Sequence, residues 1–160
     1  GDTDGLGVAE RAGSFGTLGL WLWSNNVWTQ LSGANPDFLV MADVDDSGDD
    51  EVVGDFWTAG LWLWENDAWT PLSGYDPELM VAADIAGNGD RALAADFGLA
   101  GLWLWDDDSW MQISTASPKT LLVGNVDGDI NQELIVDFAA LGLWLWNDWG
   151  WSQLTAETPD

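Results

Sequence analysis

Residues 60–64 read Gly60-Leu61-Trp62-Leu63-Trp64, and the same five letters, GLWLW, begin again at Gly19, Gly101 and Gly142. Successive starts lie 41 residues apart with no insertion anywhere. Trp28, Trp69, Trp110 and Trp151 keep the same beat, as do Pro36, Pro77, Pro118 and Pro159, and Phe15, Phe56, Phe97 and Phe138. Repeats of about 40 residues mark propeller blades or helical arrays. The local pattern decides between them. Leu and Trp alternate with a period of two, which belongs to a strand.

Working outward from GLWLW in the second repeat gives three more runs of the same kind. Phe38–Ala42 is apolar, Val52–Trp57 is apolar, and Trp69–Leu72 resumes after Asn66-Asp67. No stretch holds a 3.6-residue period for the ten or so residues a helix needs. Asn and Asp tolerate positive φ, which both central residues of a type I′ hairpin turn require. Asn66-Asp67 and its equivalents Asn25-Asn26, Asp107-Asp108 and Asp148-Trp149 are therefore read as turns. That places Glu65 opposite Ala68 and Trp64 opposite Trp69, with Trp62 on the same face and Leu61, Leu63, Thr70 and Leu72 on the other. The same pairing joins Trp23 to Trp28, Trp105 to Trp110 and Trp146 to Trp151. Four strands per repeat make one propeller blade. The fold class is all-β, a β-propeller of four 41-residue units, near 1–37, 38–78, 79–119 and 120–160.

Blades splay outward from an axis, so large side chains are needed to fill the widening gap between them. Most Trp residues are accordingly read as structural. The first Trp of each GLWLW (Trp21, Trp62, Trp103 and Trp144) is a candidate to line an inter-blade groove, where an aromatic face can stack on a sugar ring. Gln30, Gln112 and Gln153 lie opposite three of them and offer polar groups, while Pro71 breaks that pattern in the second repeat. Trp57 and Trp149 depart from the repeat and are read as exposed candidates for ligand contact.

Three Lys+Arg face 28 Asp+Glu, a formal net charge of −25. Such a chain gains nothing from counterion release on nucleic acid and is repelled by anionic membrane surfaces. Its self-repulsion calls for neutralisation by bound divalent cations or a salty medium. The absence of Cys and His removes thiolate chemistry, disulfides and the commonest general base. No apolar run reaches the roughly 20 residues of a membrane span. A start at Gly1 without a basic, apolar leader reads as a processed chain or a fragment.

The negative charge concentrates in loops. Asp43, Asp45, Ser47, Asp49 and Glu51 put oxygen ligands at alternate positions, with Gly48 at the sharp turn. Calcium takes six to eight such oxygens. The closing acid stands at the ninth position and no helices flank the loop, so it is not an EF-hand. In the fourth repeat Asn125, Asp127, Asp129 and Glu133 keep the set, though Ile130 replaces the turn glycine. In the first, Asp2, Asp4 and Glu10 remain, with Leu6 at the fifth position; in the third, Ala86 and Ala92 replace two ligands. The pattern D-x-D-x-[DS]-G-x-x-[DE], followed by an apolar strand and Asp-Phe, resembles the calcium loops of integrin-like FG-GAP/VCBS propeller repeats. The resemblance covers all four repeats, which are short for that family. It implies calcium as the cofactor, an extracellular location, and a lectin or adhesion role for repeated shallow sites between blades.

The repeated Asp55, Asp96 and Asp137 sit beside Phe, with Ser14 in the first repeat. A glycosidase needs two carboxyl groups across one bond, but copies on separate blades point to structure, and the chain is read as a binder and not an enzyme. The apolar run ahead of the acidic loop occurs only three times, at Phe38–Ala42, Leu79–Ala83 and Leu121–Asn125, so one blade lacks a strand. Either a four-bladed ring closes imperfectly or chains join into a larger homo-oligomeric ring, and the gap-free repeats favour assembly. Two functions stay open: a calcium-stabilised binder of glycans or other extracellular surface ligands, or a purely structural module, natural or engineered, with no ligand beyond metal.

Overall fold

The turn residues are where the chain first commits itself. The structure, a computed structural model, describes residues 1–106 and 108–157. Asn25 and Asn26 have φ of 50° and 64°, Asn66 and Asp67 49° and 61°, and Asp148 and Trp149 48° and 60°. These are the left-handed pairs that a two-residue hairpin demands. Asp107, Pro159 and Asp160 lie outside the described residues; Asp108 has φ of 58°.

Each repeat contains one antiparallel meander. In the first, β1 (Arg11–Ser14), β2 (Leu20–Ser24) and β3 (Val27–Ser32) form a three-stranded sheet. In the second, β4 (Leu39–Ala42), β5 (Glu51–Asp55), β6 (Leu61–Glu65) and β7 (Ala68–Ser73) form a four-stranded one. The third holds β8 (Leu79–Ala83), β9 (Ala92–Asp96), β10 (Leu102–Asp106) and β11 (Ser109–Ser114). The fourth holds β12 (Thr120–Gly124), β13 (Glu133–Asp137), β14 (Leu143–Asn147) and β15 (Gly150–Thr155). The architecture is all-β and blade-like, and the three-stranded first sheet is the one whose extra apolar run is missing from the sequence.

The hairpin register is the one the turns dictate. Trp64 faces Trp69 and Glu65 faces Ala68, with Trp23–Trp28, Trp105–Trp110 and Trp146–Trp151 equivalent. Two sequence expectations need correction. The second strand of the repeat stops at Asp55, because Trp57–Ala59 forms a 3-10 turn closed by the Gly60 N–H donating to the Trp57 carbonyl. Leu72 does not stand opposite Leu61: a bulge pairs Leu61 with Ser73 and Trp62 with Pro71, leaving Leu72 as the extra residue. The same bulge recurs in the other three hairpins. Gly60 (φ 79°) must stay a glycine, since a Cβ there would collide with the Ser73 carbonyl and sit 2.9 Å from the Gly74 Cα.

The chain divides into two compact units, Gly1–Asp43 with Ser47–Asp76, and Val44–Asp46 with Pro77–Asp160. In the first unit Leu20 and Leu22 are buried with Val52, against Met41, Phe56, Trp64 and Trp69. In the second, Leu102 and Leu104 are buried with Leu134, Val136, Phe138 and Trp146, with Trp151 packed alongside. In both, the Leu face of one sheet lies on the Trp face of the next. The bulge fastens this contact: Trp69 Nε1 donates to the Leu31 carbonyl at 2.9 Å, and Trp151 Nε1 to the Ile113 carbonyl at 2.7 Å. Phe, Trp and Trp stack edge-on within the sheet, Phe138–Trp151 at 5.4 Å and Trp146–Trp151 at 5.0 Å between centroids. No helix among the described residues is long and apolar enough to cross a membrane.

Trp151→Phe keeps an aromatic ring, though a smaller one, and removes the donor. The orphaned carbonyl is expected to cost about 1–3 kcal/mol, read by chemical denaturation. A variant as stable as the parent would deny the bulge its fastening role.

Candidate metal and ligand sites

Three acidic loops bring their carboxylates together, and they belong to the repeats whose ligand sets are most complete. Asp2, Asp4 and Glu10, then Asp43, Asp45 and Glu51, then Asp127, Asp129 and Glu133 each offer one oxygen within 4.8 Å of the others. The closing acids Glu10, Glu51 and Glu133 begin or precede a strand and are 3%, 1% and 0% exposed. A buried carboxylate without a cation is costly, and these three clusters are the ones that could hold a metal ion. The third repeat gathers no such cluster among the described residues, because Ala86 and Ala92 bring no oxygen.

The backbone leaves one oxygen of each leading carboxylate free. Asp2 Oδ2 accepts the Gly7 N–H at 2.7 Å, and Asp43 Oδ2 accepts the Gly48 N–H at 2.9 Å. The other oxygens, Asp2 Oδ1 and Asp43 Oδ1, are buried without a hydrogen-bond partner. In the fourth repeat Glu133 Oε2 accepts the Val126 N–H at 2.7 Å while Glu133 Oε1 has no partner. Orphaned oxygens of this kind fit a hard cation. Asn125 Oδ1 accepts the Gly128 N–H at 2.8 Å, and Gly128 (φ 88°) makes the turn that Ile130 cannot. Ser47 lies beside the second cluster, its hydroxyl 3.4 Å from Glu51 Oε1. Asp49 turns its carboxylate away, against Gly5, so its side chain is not gathered with the other expected ligands.

The aromatic candidates meet in two grooves. Ser32, Ala34, Phe56, Ala59, Trp62 and Trp69 enclose about 340 Å³ in the first unit. In the second, Ser114, Ala116, Phe138, Leu141, Trp144 and Trp151, joined by Ile113 and Thr115, enclose about 370 Å³. The six shared positions are each displaced by 82 residues, two repeats, so one groove is built twice. Trp62 and Trp144 each line one of these grooves. Trp21 and Trp103 occupy the equivalent positions on β2 and β10 and are half-buried.

The polar candidates are already engaged. Trp21, Trp62, Trp103 and Trp144 donate their indole N–H to the carbonyls of Leu18, Ala59, Ala100 and Leu141, all at 2.7–2.8 Å. Gln30, Gln112 and Gln153 donate to Leu18, Ala100 and Leu141, the same carbonyls, at 2.9, 2.8 and 3.1 Å. Trp and Gln together pin the 3-10 turn to the hairpin, a role hidden in the sequence because the residues of the turn continue an apolar run. A more polar groove of about 400 Å³ also opens in the first unit, bordered by Asp4, Asp49, Asn66, Asp67 and Trp64.

Trp57 and Trp149 are 57% and 49% exposed. Both adopt left-handed backbone, at φ 58° and 60°. Gly16 and Gly98 hold the position equivalent to Trp57, and a bulky residue there is strained.

Beneath the 3-10 turns sit the buried carboxylates. Asp55 and Asp96 are fully buried. Burial pushes the Asp96 carboxyl up, opposed by the Ser117 hydroxyl donating to its Oδ2 at 2.7 Å. Asp137 accepts the Ala139 N–H at 2.8 Å and pairs with Lys119 at 3.7 Å.

Set against known protein families, characterised proteins and solved structures, the chain matches none of them.

Trp57→Gly is expected to raise stability by about 1 kcal/mol, the cost of holding a side chain in left-handed backbone. Thermal melts of the variant and parent in the same buffer check it; a destabilised variant would show that the exposed ring packs usefully.

Proposed function

We propose that this chain is a calcium-stabilised binding module of the integrin-like FG-GAP/VCBS propeller kind, taking carbohydrate in its repeated aromatic grooves. The observation that carries the reading is the groove built twice, position for position, around Trp62 and Trp144. A half-buried indole whose N–H is already bonded keeps its ring face for stacking. The grooves are shallow, and shallow identical sites gain strength together on a repetitive glycan. Calcium is the metal because all the gathered ligands are oxygens, and weak oxygen sites of this type suit the calcium levels outside cells.

The propeller is the finer reading of the sheets. Leu face on Trp face is a head-to-tail contact, and repeating it either closes a ring or continues into another copy. The proposed arrangement is the second, continuing into another copy. Light scattering on the purified protein would report a mass of twice 17.4 kDa or more; a monomer at all concentrations would favour the four-bladed ring.

The reading is of a binder, not an enzyme: Asp55, Asp96 and Asp137 are 0%, 0% and 5% exposed, beyond a substrate's reach. The engaged indole and Gln donors favour the competing view of a structural module with metal alone. A glycan-binding screen in calcium and again in chelator separates the two. Binding that is lost in chelator and weakened at least tenfold by Trp62→Ala with Trp144→Ala supports the module proposed; a blank screen from folded protein supports the structural view.

The metal has its own test. At free calcium 100 times the dissociation constant, each site adds about 2.7 kcal/mol to the folded state. Chelation should therefore lower the melting temperature, and titration of stripped protein should fill three sites. Glu133→Gln should remove one of them. An unchanged melt in chelator would end the calcium reading.

A further inference from the structure

We propose that the polar groove of the first unit is a second binding site, one that takes a protonated amine carried on a compact carbon body. Strands β2, β3 and β6 build its apolar side from Leu22, Leu31 and Trp64, around about 400 Å³. Three carboxylates line the same space, those of Asp4, Asp49 and Asp67. The groove shares no residue with the one around Trp62, so the inference does not rest on carbohydrate binding there.

Two of these carboxylates have no other task. Asp49 stands at a ligand spacing in the second acidic loop, yet its carboxylate lies against Gly5 and outside the Asp43–Asp45–Glu51 cluster. Asp67 is exposed, the second residue of the turn between β6 and β7. Among the described residues neither side chain meets a hydrogen-bond donor or a cation; the bonds of Asp49 to Ser47 run through its backbone. Asp4 accepts the Leu6 N–H at 3.2 Å and the Asn25 amide at 3.4 Å. The three do not gather within 4.8 Å of one another as the acids of a metal cluster do, so they are spread too widely to share one bare ion. None of the chain's basic residues, Arg11, Arg91 and Lys119, lines the groove.

Carboxylates spread over an apolar wall select a ligand with positive charge at one end and carbon behind it. An ammonium offers three N–H donors to these acceptors and reaches through water those it does not touch. The Trp64 indole attracts a cation over its face, and the carbon body covers Leu22 and Leu31. A neutral ligand leaves the carboxylates unpaired, an anion is repelled, and a hydrated metal ion gains nothing from the apolar wall. The second unit supplies the comparison. At the positions 82 residues further on, Asp4, Asp49 and Asp67 become Ala86, Asn131 and Trp149. Asp106 and Asp148 replace Ser24 and Asn66 there, so acid alone does not set the first unit apart. Access to the indole does: Trp64 is half-buried, whereas its counterpart Trp146 is 6% exposed.

The test titrates the full chain, tryptophan-labelled, with glucosamine at about pH 6, where the amine carries its proton. Calcium is present throughout, so that an amine standing in for a metal ion is not counted. The Trp64 indole N–H signal should shift and saturate while that of Trp146 stays fixed. N-acetylglucosamine, a similar body without the charge, should leave Trp64 unmoved. Asp49→Asn and Asp67→Asn each install a residue already present at an equivalent position, Asn131 and Asn26, so the fold should hold. Each should weaken binding about three- to fivefold, whereas Glu157→Gln, which removes one charge from the other unit, should change nothing. Butylamine in place of glucosamine identifies the source of the amine: equal or tighter binding supports an alkylamine, weaker binding an amino sugar, and both support the site. The proposal is overturned if Trp64 responds to neither amine, if N-acetylglucosamine binds as well as glucosamine, or if the two groove variants keep the parent's affinity. It is equally overturned if Glu157→Gln weakens binding as much as they do, since the effect would then be the attraction of an acidic protein for any cation.

Discussion

A Leu face must lie on a Trp face for this chain to have a core. Each sheet is only four or five residues long in most strands, too small to bury its apolar surface alone. Leu20 and Leu22, or Leu102 and Leu104, gain their burial from the Trp-bearing sheet that follows in sequence. The β-bulge makes the contact directional. It pushes one residue of the closing strand out of register and presents its carbonyl to the next sheet, where an indole N–H is waiting. The 3-10 turn, the Gly that closes it and the Trp–Gln pair that pins it all serve to place that bulge.

This scaffold carries a charge it cannot neutralise by itself. Twenty-eight acids face three bases, and many acids are confined to the loops between the first and second strands of a repeat. Confinement turns a liability into a donor set. Backbone N–H groups bind one oxygen of the leading acid, while another points inward without a partner. The third loop keeps the same turn, with the Gly89 N–H donating to Asp84 Oδ2 and Asp84 Oδ1 unpartnered, but gathers no carboxylate cluster among the described residues because Ala replaces two ligands. The buried aspartates at the opposite end of the second strand meet the same shortage of cations differently: Asp96 by a hydroxyl and Asp137 by a lysine.

Much of this was legible in the letters because the units are copies without gaps. Alternating Leu and Trp gave the faces, and Asn-Asp pairs gave the turns and so the register from Trp64–Trp69 outward. The acidic spacing marks Glu10, Glu51 and Glu133 as candidate closing ligands, and each is the buried carboxylate of its loop. What could not be read were the departures from ideal pairing. The bulge at Leu72 leaves no mark in composition, since a residue displaced by one step keeps its identity. The 3-10 turn hid inside an apolar run, because Phe56 and Trp57 continue a strand as well as they begin a turn; Gly60 was the available clue. Asp49 looked like a ligand by spacing alone, and its side chain is claimed by the neighbouring loop. The Gln residues were rightly paired with Trp, but their donors serve a carbonyl that only the turn reveals.

The central claim is that the two equivalent grooves bind the same ligand. Its most direct test is the indole N–H region of an NMR spectrum, with tryptophan labelled, during titration with a panel of neutral and amino sugars in calcium. The account predicts that the signals of Trp62 and Trp144 move together with one affinity, accompanied by Trp69 and Trp151, while Trp23 stays fixed. Signals that never move, or shifts confined to the exposed Trp57 and Trp149, would contradict it.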